Sequence, residues 1–360
     1  MEFALSEEQK MLQDSAGRYL ETACSLDVVR GVAEKGGLQA DDVWKGLIEL
    51  GVPSMMVPEA YGGMEFSMLE AALVSEVMGR HVAAVPFVGA CVLGPLAIAR
   101  GGSDALKEAW LPKIATGAIR VGVALSEHTG AREDAGVTAE GSRLSGRSLF
   151  VIDGGMADIF VVADTQGGLH LIEAGAEGVE TIALTSIDRT RSLSEIRLTK
   201  VVSQPLDGGE DVLASLIDAG RILYAADTLG AGWAMIDKAV AYAKERKQFN
   251  RVIGSFQSVK HLCAEMAAEL EPCRSLIWYA AYAQVELPND ARLTAGHAKS
   301  HLSEVGRFVA RTSTEVHGGM GFTDLLGLHY WFKRIGVNRQ ILGGPERVRE
   351  ELARLQGWAA

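Results

Sequence analysis

"KERKQFNRVIGSFQSVKHLCAEM", Lys244 to Met266, sets a basic, aromatic turn between two long runs of helical periodicity. Before it, "DVLASLIDAGRILYAADTLGAGWAMIDKAVAYAKE" repeats apolar residues at helical spacing; after it, "SVKHLCAEMAAELEPCRSLIWYAAYAQVEL" does the same until Pro288. A third run, "ARLTAGHAKSHLSEVGRFVARTSTEVHGG", stops at Gly318-Gly319, and shorter pieces follow around Trp331 and in "ERVREELARL". Long helices with short joints predict an antiparallel four-helix bundle over residues 207–360. The interruption sets Arg246, Gln248 and Phe249 at the end of one helix, with Phe256 and Gln257 opening the next. An arginine offers a planar fork of donors to phosphate, and Gln both donates and accepts toward a ribose or base edge. A Phe stacks beside a purine. The set suits a nucleotide diphosphate, against the plainer reading of a basic helix end facing its own dipole.

Upstream the texture changes. "VGVAL", "RLSGRSLFVI", "DIFVVAD", "GLHLIEA" and "SEIRLTKVV" are short β-branched runs separated by Gly, Asp and Ser. They predict an antiparallel β-domain over 119–206. Residues 1–118 are helical again: "SEEQKMLQDSAGRYLETA" opens on a Ser6 cap, and "DDVWKGLIELGV" closes at Gly51. The expected fold is therefore α+β: an N-terminal all-α domain, a middle β-domain and a C-terminal bundle.

A formal net charge of −11 argues against binding nucleic acid or an anionic membrane in bulk, since a phosphate surface repels it. No apolar run reaches the ~18 residues of a membrane span. The acidic, amphipathic start lacks the look of a leader, and Cys24, Cys91, Cys263 and Cys273 form no CxxC pair, so a cytoplasmic protein with reduced thiols is expected.

The stretch "EVHGGMGF", Glu315 to Phe322, supplies a second clue: paired glycines let main chain approach a ligand closely. Together with the domain order, "RKQFN…I…FQ" and "VHGGMGF" resemble the acyl-CoA dehydrogenase family over essentially the whole chain. The resemblance implies FAD, with the flavin ring between β-domain and bundle and the ADP half reached by the neighbouring subunit. It assigns Arg246, Gln248, Phe249, Phe256, Gln257, Glu315, Gly318 and Gly319 to that ADP half. Glu315 departs from the family's usual Gln. The implied reaction is α,β-desaturation of an acyl-CoA thioester, with an electron-transfer flavoprotein as acceptor.

The resemblance also locates what is missing. The family's base, a glutamate that removes the α-proton, falls either on Gly343 in "QILGGPERV" or on Gly220 in "DAGRIL". Glycine has no proton acceptor, so no catalytic residue is assigned. Asp218, two residues from Gly220, should face away, and Glu346, three residues past Gly343, is the better surrogate of the two. At the ring site Phe150-Val151-Ile152 replaces an aromatic-x-Thr, so Ile152 donates nothing, and Pro345 replaces a Thr. Ala131-Arg132-Glu133 replaces Gly-Ser/Thr-Asp. This pattern resembles the base-lacking subunit of bacterial steroid side-chain-degrading enzymes, α2β2 heterotetramers with a homologous catalytic partner. The alternatives are a homomeric dehydrogenase with a relocated base and a flavin-dependent monooxygenase on the same fold. His297 and His301 stand four apart but show no third metal ligand, so no metal is expected. Trp278 and Trp331 read as core or interface, and His317 as packing near the ADP half. Arg132 fits a CoA phosphate, an unused flavin pocket or solvent equally.

Overall fold

The computed structural model describes residues 4–36, 39–130, 132 and 134–359. Its first unit consists of α1 (Glu7–Ala23), α2 (Leu26–Glu34), α3 (Asp41–Glu49), α4 (Met68–Arg80), α5 (Gly94–Gly101) and α6 (Asp104–Ala115). Ser6 and Ser67 start α1 and α4 with capping boxes closed by Gln9 and Glu70. A π-helical turn, Phe87–Leu93, leads into α5 and is buried along its whole length.

The middle unit has β1 (Val121–Ala124), β2 (Gly136–Glu140), β3 (Arg143–Ile152), β4 (Ile159–Ala163), β5 (Leu169–Glu173), β6 (Val179–Ala183), β7 (Leu193–Val202) and β8 (Gln204–Leu206). They form one sheet in the order β6-β7-β3-β1-β4-β5-β8, with β2 on β3. The expectation of an antiparallel sheet needs one correction. β1 and β4 run parallel, with Val121 opposite Ile159. They leave the sheet's interior in the same direction because β3 and a short turn, Gly154–Met156, intervene.

The last unit begins with α7 (Gly209–Glu245) and continues through a hairpin of β9 (Lys247–Gln248) and β10 (Arg251–Val252). α8 (Gln257–Glu286), α9 (Ala291–His317), α10 (Leu328–Gln340) and α11 (Pro345–Leu355) complete it. α7 to α9 alternate in direction, so α7 and α9 run parallel, with Ser313 Oγ donating to Met235 O. α4 crosses α7 main chain to main chain: a Cβ on Gly79 would strike Asp227 O, and one on Gly230 would strike Glu76 O.

A buried charge network joins the three units. Arg334 of α10 pairs with Asp227 of α7 at 2.7 Å, and donates to Ala83 O at 3.0 Å and Thr190 Oγ1 at 3.1 Å. Arg191, from the loop before β7, lies 2.9 Å from the other Asp227 oxygen. Burial alone would raise the Asp227 carboxyl, but Arg191 and Arg334 outweigh it and hold it at about 2. A buried carboxylate with two guanidinium partners fixes the angle at which β-domain and bundle meet.

Candidate functional site

Arg246 is not helical, as its sequence position had implied, but the C-cap of α7. The chain then turns back at once. Arg251 pairs with Gln248 and Val252 with Lys247, and Ile253 N donates to Arg246 O. The two tip residues, Phe249 and Asn250, have φ of 51° and 59°. Two left-handed residues in a two-residue loop make a type I′ turn, normally an Asn-Gly preference. A Phe there costs about 1–2 kcal/mol. The strain holds Phe249 out, 86% exposed, with its ring edge-on to Phe256 at 6.1 Å. Gln257 opens α8, and its amide meets His261 at 3.0 Å.

The glycine loop lies at the same end of the bundle. His317, the last residue of α9, stacks on Tyr242 of α7 with ring centroids 4.8 Å apart. Its Nδ1 faces Ser313 O at 2.7 Å, and burial pulls its pKa down, so the ring is neutral at pH 7. Gly318 follows at φ 58°, a glycine conformation, and neither Gly318 nor Gly319 has anything within 4 Å of where a Cβ would stand. Both are exposed, as is Glu315 one turn earlier. Hairpin and glycine loop thus present donors and open main chain at one end of α7 and α9.

A second feature lies between β-domain and bundle. A crevice of about 480 Å³ is lined by Phe150, Ile187, Leu193, Val337, Ile341 and Leu342, with Ser126, Thr129, Gln340, Glu346 and Arg347 around it. Phe150 faces it, 40% exposed and strained at φ 52°. Ile152 is buried, so no donor reaches the crevice from that position. Pro345 is the first residue of α11.

Both glycines at the expected base positions have a physical role of their own. A Cβ on Gly220 would collide with Leu342 Cδ1, and Leu93 Cδ1 would lie 3.6 Å away. Leu342 itself is 1% exposed and sits at φ 58°. Its carbonyl accepts from Arg221 Nε at 3.0 Å, and Arg221 Nη2 pairs with Glu351 at 2.6 Å. Gly343 has φ 99°, which any side chain would strain. Glu346 borders the crevice but its carboxylate binds Arg339 at 2.6 Å and is 71% exposed. Its own backbone N–H, and then Arg339, hold it below the usual carboxylate range. That makes it a weaker base, not a stronger one. Asp218 is buried and pushed up by desolvation, which Arg292 at 3.6 Å and Arg221 offset only in part; its Oδ1 has no hydrogen-bond partner among the described residues.

Sequence reading missed Leu342 and Arg347. The Arg347 guanidinium packs onto Gly130, at φ 80°, where a Cβ would collide with its Nη1. An arginine strap from α11 thus reaches the loop after β1, and no periodicity announces it. Arg132 is engaged by Asp134 in a fork at 2.6 and 2.7 Å, and does not line the crevice. Its neighbours Ala131 and Glu133 lie outside the described residues. His297 and His301 border a shallow surface concavity with Leu276, Ser300 and Arg349, and no cluster of three metal-ligating side chains occurs among the described residues. Trp331 is buried, its indole N–H donating to Arg80 O at 2.9 Å, and Trp278 is half-buried. No described helix is long and apolar enough to cross a membrane.

Tested against FAD, the two features differ. The hairpin and glycine loop fit a nucleotide: exposed guanidinium and amide donors, and main chain that a Cβ would otherwise cover. The crevice retains an aromatic face in Phe150 but has neither a donor from position 152 nor a carboxylate at 220 or 343, the groups that the family resemblance places around a reacting flavin. From Gly220 to Glu245 is 25 residues of one helix, about 37 Å at 1.5 Å per residue. One extended dinucleotide does not span that.

Comparison with known proteins shows the family. Residues 6–118 match the acyl-CoA dehydrogenase N-terminal domain and residues 207–355 the C-terminal domain of the same family. The acyl-CoA dehydrogenase FadE27 of Mycobacterium tuberculosis is 30% identical, over 98% of this chain and 99% of its own length. Among solved structures, the ChsE4-ChsE5 complex of Mycobacterium tuberculosis superposes with a TM-score of 0.92 at 28% identity, covering 100% of both chains. The Tcur3481-Tcur3483 steroid ACAD G363A variant superposes with a TM-score of 0.90 at 28% identity, covering 98% of both.

Proposed function

The chain belongs to the acyl-CoA dehydrogenase family, whose cofactor is FAD, and we propose that it works as the subunit of a heteromer that grips a coenzyme reacting elsewhere. In this reading Arg246, Gln248, Phe249, Phe256 and Gln257, with Glu315, Gly318 and Gly319, hold the ADP half of an FAD whose ring lies in a homologous, base-bearing partner. The observation that carries it is the pairing of an exposed, strained nucleotide grip with a crevice whose two base positions are glycines, one of them covered by Leu342. The ~37 Å between grip and crevice supports it, because this chain's grip and this chain's crevice are too far apart for one coenzyme.

The substrate in this reading is an acyl-CoA thioester undergoing α,β-desaturation, and the likeness to a steroid ACAD favours a steroid acyl group, a side-chain acyl group in our reading. The assembly is an α2β2 heterotetramer in the cytoplasm, passing electrons to an electron-transfer flavoprotein. A relocated base at Glu346 is disfavoured by its ion pair to Arg339. The test is co-expression with a base-bearing homologue followed by flavin counting. One FAD per two chains is expected. One FAD per chain, or thioester turnover at ordinary enzymatic rates by this chain alone, refutes the reading.

A further inference from the structure

The hairpin's register puts more on one face than the sequence motif names. In a two-stranded ladder, paired residues share a face and successive residues alternate. Gln248 and Arg251 are opposite each other, and Arg246, opposite Ile253, lies two residues back on the same face. Lys247 and Val252 take the other face. Arg246, Gln248 and Arg251 are all exposed. Neither guanidinium has a carboxylate within 4.0 Å among the described residues, although the chain carries 46 acidic side chains against 35 Lys and Arg. The Arg251 guanidinium carbon lies over the Phe256 ring, 3.8 Å from its centroid. That face of Phe256 is therefore taken and is not free for a purine.

We propose that Arg251 is a second diphosphate-binding arginine, aimed by Phe256, which clamps the ADP diphosphate of FAD together with Arg246 and Gln248. This rests on the reading of the hairpin as a nucleotide grip. Two phosphates meet two forks, and the contact with the Phe256 ring holds one fork in advance, which lowers the entropy lost on binding. The same diphosphate occurs in coenzyme A, but there a 3′-phosphate adds charge. The only other cation of the two strands, Lys247, points to the opposite face, so FAD is the better match.

The experiment uses the full chain in the assembly in which it purifies, stripped of flavin and titrated with FAD, FMN and coenzyme A. Arg251→Gln is expected to weaken FAD binding about tenfold, as loss of one charge-assisted pair does. It should leave FMN, which lacks the ADP half, unchanged, and Arg251→Lys should recover part of the loss. FAD affinity within twofold of wild type in Arg251→Gln, with Arg246→Gln weakened, refutes the proposal and leaves the grip standing. If Arg246→Gln is also unchanged, or if the wild-type assembly binds no FAD, the grip falls with it. Equal weakening of FAD and FMN means damage to the fold and refutes the clamp. Loss of coenzyme A binding in place of FAD refutes the assignment to the cofactor.

Discussion

Gly220→Ala and Leu342→Ala, singly and together, test whether the base position is merely empty or occupied by design of the packing. In the wild-type chain a Cβ at 220 meets Leu342 Cδ1, which has Leu93 behind it and a strained backbone beneath, so it retreats poorly. Overpacking of this kind costs about 1–3 kcal/mol. Gly→Ala inside a helix returns about 1 kcal/mol. Gly220→Ala alone should thus destabilise by roughly 0–2 kcal/mol. Leu342→Ala alone should cost about 2 kcal/mol, the low end for a buried leucine, because its other side borders the crevice. In the Leu342→Ala background the collision is gone and only the helix gain remains, so Gly220→Ala should raise stability by about 1 kcal/mol. The coupling between the two sites is then about 1–3 kcal/mol, with a change of sign. Urea unfolding of the four chains, followed on the same cooperative transition, measures it. If Gly220→Ala shifts the midpoint equally in both backgrounds, Leu342 does not fill the base position and the reasoning fails.

Three further outcomes are expected. Glu346→Gln should leave thioester turnover of the assembled enzyme within about twofold, whereas loss of a true general base costs a factor of at least about 100; a steady-state rate decides between them. Burial raises the Asp153 carboxyl from its ordinary 3.8 to about 6, against the Gly89 N–H that it accepts at 2.7 Å. With the folded value above the unfolded one, the stability this group contributes is complete below about pH 4 and is lost as pH rises through about 6. Asp153→Asn keeps an acceptor and tolerates the φ of 55°, so it should exceed wild type by about 1–3 kcal/mol at pH 7.5 and by nothing at pH 4, read from unfolding midpoints across pH. Arg334→Met should cost about 3–5 kcal/mol by leaving Asp227 buried with one partner fewer, and Asp227→Asn in the same chain should recover part of it.

Most of the helical architecture was legible because its signals are local. Ser6 caps α1 as its sequence position implies, and the breaks at Pro288 and Gly318 fall where α8 and α9 end. Elements without a local signal were missed. The buried turn Phe87–Leu93 has no polar face to give it a period, and the edge strands β2 and β6 alternate weakly. The parallel pairing of β1 with β4 is set by residues 38 apart, Val121 and Ile159. At the site, missing carboxylates could be read from the sequence, since a glycine is a glycine wherever it stands. Leu342 over Gly220 could not, because that contact joins residues 122 positions apart. The hairpin was read as a turn with useful side chains, but Phe249-Asn250 is not a sequence that announces a type I′ turn, so the shared face of Arg246, Gln248 and Arg251 stayed hidden.

The two halves of the proposed site answer to different physical demands, so one can be present without the other. The grip needs only a helix end, a two-residue turn and an open glycine loop, all built from contacts within the bundle. The crevice needs a carboxylate whose backbone and space are both available. At position 343 the φ of 99° charges any side chain about 1–2 kcal/mol, and at 220 the space belongs to Leu342. The two positions therefore resist a glutamate differently: Gly220→Glu needs Leu342 moved aside, and Gly343→Glu carries the left-handed strain in a site with room for a Cβ. An exposed hairpin and glycine loop beside a crevice with glycines at 220 and 343 is the arrangement that the proposed division of labour requires, in which the coenzyme held here works in another chain's crevice.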